Sequence, residues 1–268
     1  MKMNDIQVLV ATMHQTDFSL GEIMNITCDA VFANQANTDA MQIQTANNRT
    51  WKMITTNTRG VGLNRNIALL ASNAEIILFA DDDMTYYEGT FEKVKSAFSE
   101  WTDADVIIFS VDLIKNGQIF EKRRVPHKKM HVWNTLKYGT YAIAAKRKSI
   151  LKKNISFSQF FGGGTIYGSG EDSLFLNECF DKKLNVYSYD YVIGACSKDV
   201  SSWFKGYDEK YFFDKGALYG YLFPKLKYLM ILYFSLKFNK SELDVSKRLK
   251  LMFAGMNAGI NLIPYKQE

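Results

Sequence analysis

The chain is predicted to be an α/β protein, a mainly parallel sheet flanked by helices with a helical C-terminal extension. Three observations lead there. Over residues 1–112, short apolar runs of strand length alternate with helically spaced stretches. The run Ile76–Ala80 ends at once in three carboxylates, Asp81, Asp82 and Asp83, and open α/β sheets bind ligands at the carboxyl ends of their strands. From Trp203 the composition turns to Tyr, Phe, Leu and Lys at helical spacing. With 268 residues, 47% of them apolar, the chain can bury one full core.

Taken in order, Ile6–Ala11, Ala30–Ala33 and Lys52–Thr55 read as strands joined by connections rich in Asn, Thr and Asp. Gly60 and Gly62 open a helix over Leu63–Ala71, where Leu63, Ile67, Leu70 and Ala71 fall on one stripe. The acidic strand follows, then a helix over Thr90–Phe98 and a strand over Val106–Val111, which closes a nucleotide-binding half. After the glycine-rich stretch Phe161–Gly170, the spacing of Leu174, Phe175, Cys179 and Phe180 marks another helix. The organisation expected is a domain over 1–202, divided at 112, and an extension over 203–268.

Composition narrows the function classes. Cys28, Cys179 and Cys196 are odd in number and lack a Cys-x-x-Cys spacing, so a disulfide framework or zinc site is not indicated, and a reducing cytosol is expected. The N-terminal apolar run is too short for a secretory leader and reads as a strand. No stretch reaches the roughly 18 apolar residues of a spanning helix. The net charge is +5, but residues 121–153 hold eleven Lys/Arg against one Glu, which points to an anionic ligand on that side. Nucleic acid is not the expected partner, because this segment offers only Trp133, Tyr138 and Tyr141 for stacking.

Two acidic clusters carry the chemistry. On an extended backbone Asp81 and Asp83 project to one side and Asp82 to the other, and paired carboxylates invite a hard divalent cation, Mg²⁺ or Mn²⁺. The alternative is a solvated acidic turn. Five glycines between Gly162 and Gly170 form a loop able to fold closely around a ligand, and it delivers Glu171 and Asp172 to a helix N-terminus, whose dipole favours negative charge. Gly62 and Arg65 stand in a helix start that can approach a phosphate, although the third glycine of a dinucleotide fingerprint and the Lys-Ser/Thr of a P-loop are absent.

In combination, Val8-Leu-Val-Ala11, Gly60-Val-Gly-Leu-Asn-Arg-Asn66, Phe79-Ala-Asp-Asp-Asp83 and Gly170-Glu-Asp172 resemble the family 2 glycosyltransferases of the GT-A fold, over about residues 6–200. The resemblance implies inverting transfer from a nucleotide-sugar donor, UDP-linked. Asp172 would be the base, with Glu171 beside it, and Mn²⁺ or Mg²⁺ would be held by Asp81, Asp82 or Asp83. Asn34, Asp39, Arg59, Gly62, Arg65, Asp81 and Asp82 would bind the donor. Two departures stand out. The family's acidic Asp-Gly-Ser after the second strand is replaced by Ala33-Asn-Gln-Ala-Asn-Thr-Asp39, and the first carboxylate of Asp-x-Asp-Asp by Ala80, which leaves open which Asp ligates the metal. The acceptor implied is a saccharide or lipid-linked saccharide in bacterial surface polysaccharide or glycolipid assembly. A nucleotidyltransferase is the competing enzyme class, but its Gly-rich Lys/Arg signature is missing from the N-terminus.

The extension reads two ways. Residues 203–250 carry ten Lys/Arg and five Asp/Glu among dense aromatics, which suits an anionic membrane surface and a peripheral location on the inner face of the cytoplasmic membrane. A helix over Ser241–Ile263, capped by Ser241, with Leu249, Met252, Phe253, Met256, Ile260 and Ile263 on a stripe, fits a packed subdomain equally well.

Overall fold

One sheet organises the molecule. The computed structural model describes residues 5–132, 137–198 and 206–266; Trp133 and Trp203, singled out above, lie outside them. Strands β1 (Ile6–Met13), β2 (Asp29–Gln35), β4 (Arg49–Thr56) and β5 (Ile76–Asp81) run parallel in the order β4-β2-β1-β5. β1 and β5 are apolar on both faces and buried on nearly every residue, as a parallel sheet covered by helices requires. α2 (Val61–Ala71) crosses back over β1 and β2, between β4 and β5 in sequence.

Beyond β5 the sheet becomes mixed. β10 (Ile143–Lys146) lies antiparallel between β5 and β7 (Val106–Lys115), and β11 (Val186–Ser197) runs parallel to β7. The short β6 (Met84–Tyr86) pairs with β11 on the far edge. β8 (Gln118–Arg123) extends β7 as a hairpin, and β9 (Lys128–Lys129) pairs with β11. At the other edge β3 (Ala40–Ala46) adds antiparallel to β4 with every residue exposed. α1 (Ser19–Ile23), α3 (Thr90–Glu100), α4 (Arg147–Lys152) and α5 (Glu171–Asp181) complete this part.

The cations of 121–153 do not gather on one ligand. Arg124 pairs with Asp112, Arg123 donates to Tyr141, Lys129 to Asn185, Lys146 to the Thr102 carbonyl and Arg147 to Ser72. The segment folds into a hairpin strand, a short strand, an inner strand and a helix, so its charge disperses.

Three helices end the chain: α6 (Glu209–Leu222), α7 (Lys227–Lys237) and α8 (Val245–Gly259). Gly216 and Gly220 on α6 face Gly255 and Gly259 on α8. A Cβ on Gly216 would sit 2.0 Å from the Met252 carbonyl oxygen, and one on Gly255 would sit 1.9 Å from that of Phe213. The two backbones touch because nothing stands between them. The expected cap of the last helix is corrected: Asp244, not Ser241, accepts from the Lys247 N–H at 2.8 Å, and the helix starts at Val245. The Ser241 hydroxyl is already committed to the Tyr207 carbonyl and the Leu243 N–H.

Candidate active site

The site grows from three consecutive side chains at the start of α2. Asn64 donates to the Thr12 and Ala33 carbonyls and pins the helix to the ends of β1 and β2. Asn66, through both polar atoms, holds the backbone of Phe157. Between them Arg65 points into the interior and donates to Asp81 at 2.6 Å and Glu171 at 2.8 Å, over the Phe157 ring. Gly62 is needed for the approach, since a Cβ there would meet the Ser158 carbonyl oxygen at 1.9 Å. Beneath the bridge, Phe79, Phe157 and Phe175 form a closed aromatic cluster, the last two stacked at 4.2 Å. Arg65 is buried, and its two acidic partners hold its pKa above the ordinary arginine value although burial opposes the charge.

The three aspartates separate, so the alternation expected for an extended chain is corrected. β5 ends at Asp81 and the backbone turns through Asp82 and Asp83 into β6. Asp81 takes Arg65; Asp82 accepts from the Thr12 hydroxyl at 2.8 Å; Asp83 pairs with Lys198 at 3.1 Å and accepts from the Cys196 thiol at 3.1 Å. Loss of solvation raises Asp82 and Asp83 above the usual carboxylate range, and the charge of Asp81 adds to both.

Glu171 and Asp172 lie at the N-terminus of α5 as expected, and the structure divides them. Glu171 is consumed by Arg65 and by the Gly170 N–H. Asp172 accepts from the Ser173 N–H at 2.7 Å, and among the described residues no cation lies within ion-pair distance of it. Burial, then repulsion by Glu171, pushes its pKa up to about 6. Lys215 of α6 is part of the same electrostatic group: its burial lowers its pKa, while Asp172 and Glu171 oppose the shift.

The glycine loop folds on the protein itself. The Val61 N–H donates to the Gly163 carbonyl at 3.0 Å, so the two glycine-rich segments meet. Gly162 has φ +114° and packs against Val61 and Glu171, and Gly170, at φ +117°, lies under Leu218. The remaining expected residues sit at the strand ends beside the site. Asn34 is buried and both its polar atoms serve the fold, to Gln15 and Thr55. Asp39 caps the Asn57 N–H, and Arg59, exposed, reaches the Ala36 carbonyl and Asn37. Thr12, Cys196, Lys198 and Lys215 escaped sequence reading. Lys198 is 115 positions from Asp83, and no local pattern marks it.

Residues 34–158 match the family model described as glycosyl transferase family 2. Over that segment the chain is similar to the family 2 glycosyltransferases. Its fold is GT-A, and solved structures of S. aureus TarS share it. The 1–349 fragment of TarS in complex with UDP-GlcNAc aligns at a TM-score of 0.59 with 16% identity, over 97% of this chain and 73% of that one. The same fragment with UDP gives 0.56 and 17%, over 96% and 72%. A longer TarS structure gives 0.58 and 16%, over 94% of this chain and 43% of that one. At such identity the likeness is one of fold. No curated protein matches the chain.

The acidic turn fits a hard cation by its chemistry. Among the described residues no three acidic, His or Cys groups converge on one point. Mg²⁺ bound with a nucleotide, however, takes one or two protein carboxylates and fills its shell with phosphate oxygens and water. Asp82 and Asp83 offer oxygen donors alone; lost solvation first, and then the charge of Asp81, disfavours their ionised forms, which a cation would favour.

Proposed function

We propose that the chain transfers a sugar, with inversion, from a UDP-linked donor to a hydroxyl of a glycan or lipid-linked saccharide in bacterial surface polysaccharide or glycolipid assembly. The observation that carries this reading is the Arg65 bridge, which draws Asp81 of the acidic strand end and Glu171 of α5, the neighbour of Asp172, to the two terminal nitrogens of one guanidinium. A donor lying along the strand ends would then present its anomeric carbon near Asp172. The fold shared with TarS, which has been solved with UDP-GlcNAc, supports the choice of donor.

Asp172 is the base. It takes the proton of the attacking hydroxyl as that oxygen bonds to the anomeric carbon and the bond to the diphosphate oxygen breaks, its electron pair leaving with the diphosphate. A pKa of about 6 leaves Asp172 ionised at neutral pH but more basic than an ordinary aspartate. Arg65 is neutralised by Asp81 and Glu171, so its role is to hold the two acidic segments in register. Asp82 and Asp83 would hold Mn²⁺ or Mg²⁺, which when bound stabilises charge on the departing diphosphate. Asp39 and Arg59 are the nucleoside contacts proposed; Asn34 shapes the β1 end through Gln15.

A thermal-shift panel of nucleotides and nucleotide-sugars, with and without Mn²⁺, tests the reading. UDP and a UDP-sugar should raise the Tm only with metal, and Asp82→Asn/Asp83→Asn should abolish that gain in a folded protein. Equal stabilisation by every nucleotide without metal refutes it.

A further inference from the structure

Among the described residues α7 leaves one apolar face largely exposed, with only Tyr228 at its first turn touching a ring of α8, that of Phe253 at 6.1 Å. Its inner side is held: Ile231 and Ser235 are buried, Ser235 lies 3.3 Å from the Met252 sulfur, and Phe234 packs with Phe212, Tyr219 and Phe238. Its outer side is exposed: Tyr228 at 61%, Leu229 at 60%, Leu232 at 43%, Tyr233 at 57% and Leu236 at 60%. At about 100° per residue these five fall within one arc of about 140°. Side chains of this size are normally covered when they cluster.

Charge selects the occupant. Lys225 and Lys227 stand at the start of the helix and Lys237 and Lys240 at its end, while no acidic residue occurs from Gly216 to Lys240. Two copies joined through this face would set lysines against lysines whether the helices ran parallel or antiparallel, with no carboxylate between them, so self-pairing is disfavoured. An anionic lipid leaflet neutralises both ends, accepts the leucines below the headgroups and suits tyrosine, whose ring is apolar and whose hydroxyl is wet. We infer that the outer face of α7 docks the protein on an anionic membrane surface, the helix lying in the plane of the interface. No helix among the described residues is long and apolar enough to cross a membrane, and the docking stands independently of the donor chemistry.

The test is co-sedimentation with vesicles of phosphatidylcholine alone or mixed with phosphatidylglycerol. The intact protein should bind the mixed vesicles at low salt, release in high salt and ignore pure phosphatidylcholine. Leu229→Ser/Leu232→Ser/Leu236→Ser alters exposed side chains only, and should keep the thermal melt while weakening binding at least about tenfold. Should that triple variant melt early, Lys225→Gln/Lys237→Gln/Lys240→Gln tests the same face through charge, with the same loss expected. The inference is overturned by absence of binding, by equal binding to both vesicle types, by unchanged binding in the folded variants, or by a concentration-dependent dimer in sedimentation velocity that the leucine variant abolishes.

Discussion

At the scale of the residue, the site depends on one buried cation giving two adjacent carboxylates different work. Arg65 binds Glu171 and leaves Asp172 to burial and to repulsion by its neighbour, which push the Asp172 pKa up to about 6. Asp172→Asn keeps the shape but cannot take a proton, so turnover should fall at least about 10²-fold with donor binding retained. Near-normal turnover would move the base elsewhere. The wild-type kcat/KM should rise with pH through about 6 and then level, because the proposed base, Asp172, works in its ionised form. That limb should vanish from whatever residual activity the variant has. The same shift weakens the fold as pH rises from 3.8 to about 6, since the folded chain holds this proton more tightly than the unfolded one.

At the scale of the element, glycine decides which segments touch. The contact between α6 and α8 is made through Gly216 and Gly255, each against a carbonyl of the opposite helix, whereas a Cβ on Gly220 would have as its nearest neighbour the Met256 Cγ, at 3.3 Å. The two helices should therefore respond unequally to added methyl groups. Gly255→Ala is expected to cost at least about 2 kcal/mol by forcing the helices apart, and Gly220→Ala less than about 1, because the flexible methionine yields and alanine favours the helix. Denaturant unfolding with matched slopes measures both. Equal effects would mean that the crossing does not rest on the small residues.

At the scale of the whole molecule, the C-terminal helices complete the site region. Phe161 and Tyr167 of the glycine loop are buried in one cluster with Phe213, Ala217, Leu218, Leu222 and Phe223, and Asp214 accepts from the Gly168 N–H. Removing residues 206–268 should strip that cover, expose the two rings and free the loop that leads to Glu171 and Asp172. The expected readout is rapid protease cleavage within 160–170 and loss of transfer activity. A truncated chain with a protected loop and intact turnover would make the last helices a separate appendage.

The periodicities alone determined the parallel core, the helix before the acidic strand and the placement of Asp172 at a helix start, because strand and helix periods and glycine punctuation are local properties. They also exposed the two acidic clusters. The antiparallel strands β3 and β10 were not legible: β3 is exposed throughout and exists through its pairing with β4, and β10 is four residues set among lysines. The helix cap at Asp244 was missed because Ser241 and Asp244 are both competent acceptors and only the loop contact to Tyr207 separates them. Nor could any pattern join Arg65 to Glu171, 106 positions away, or Lys198 to Asp83. Tertiary structure decided which carboxylate is neutralised and which is left basic, since desolvation and Coulomb attraction act across space, at distances that the order of residues along the chain does not encode.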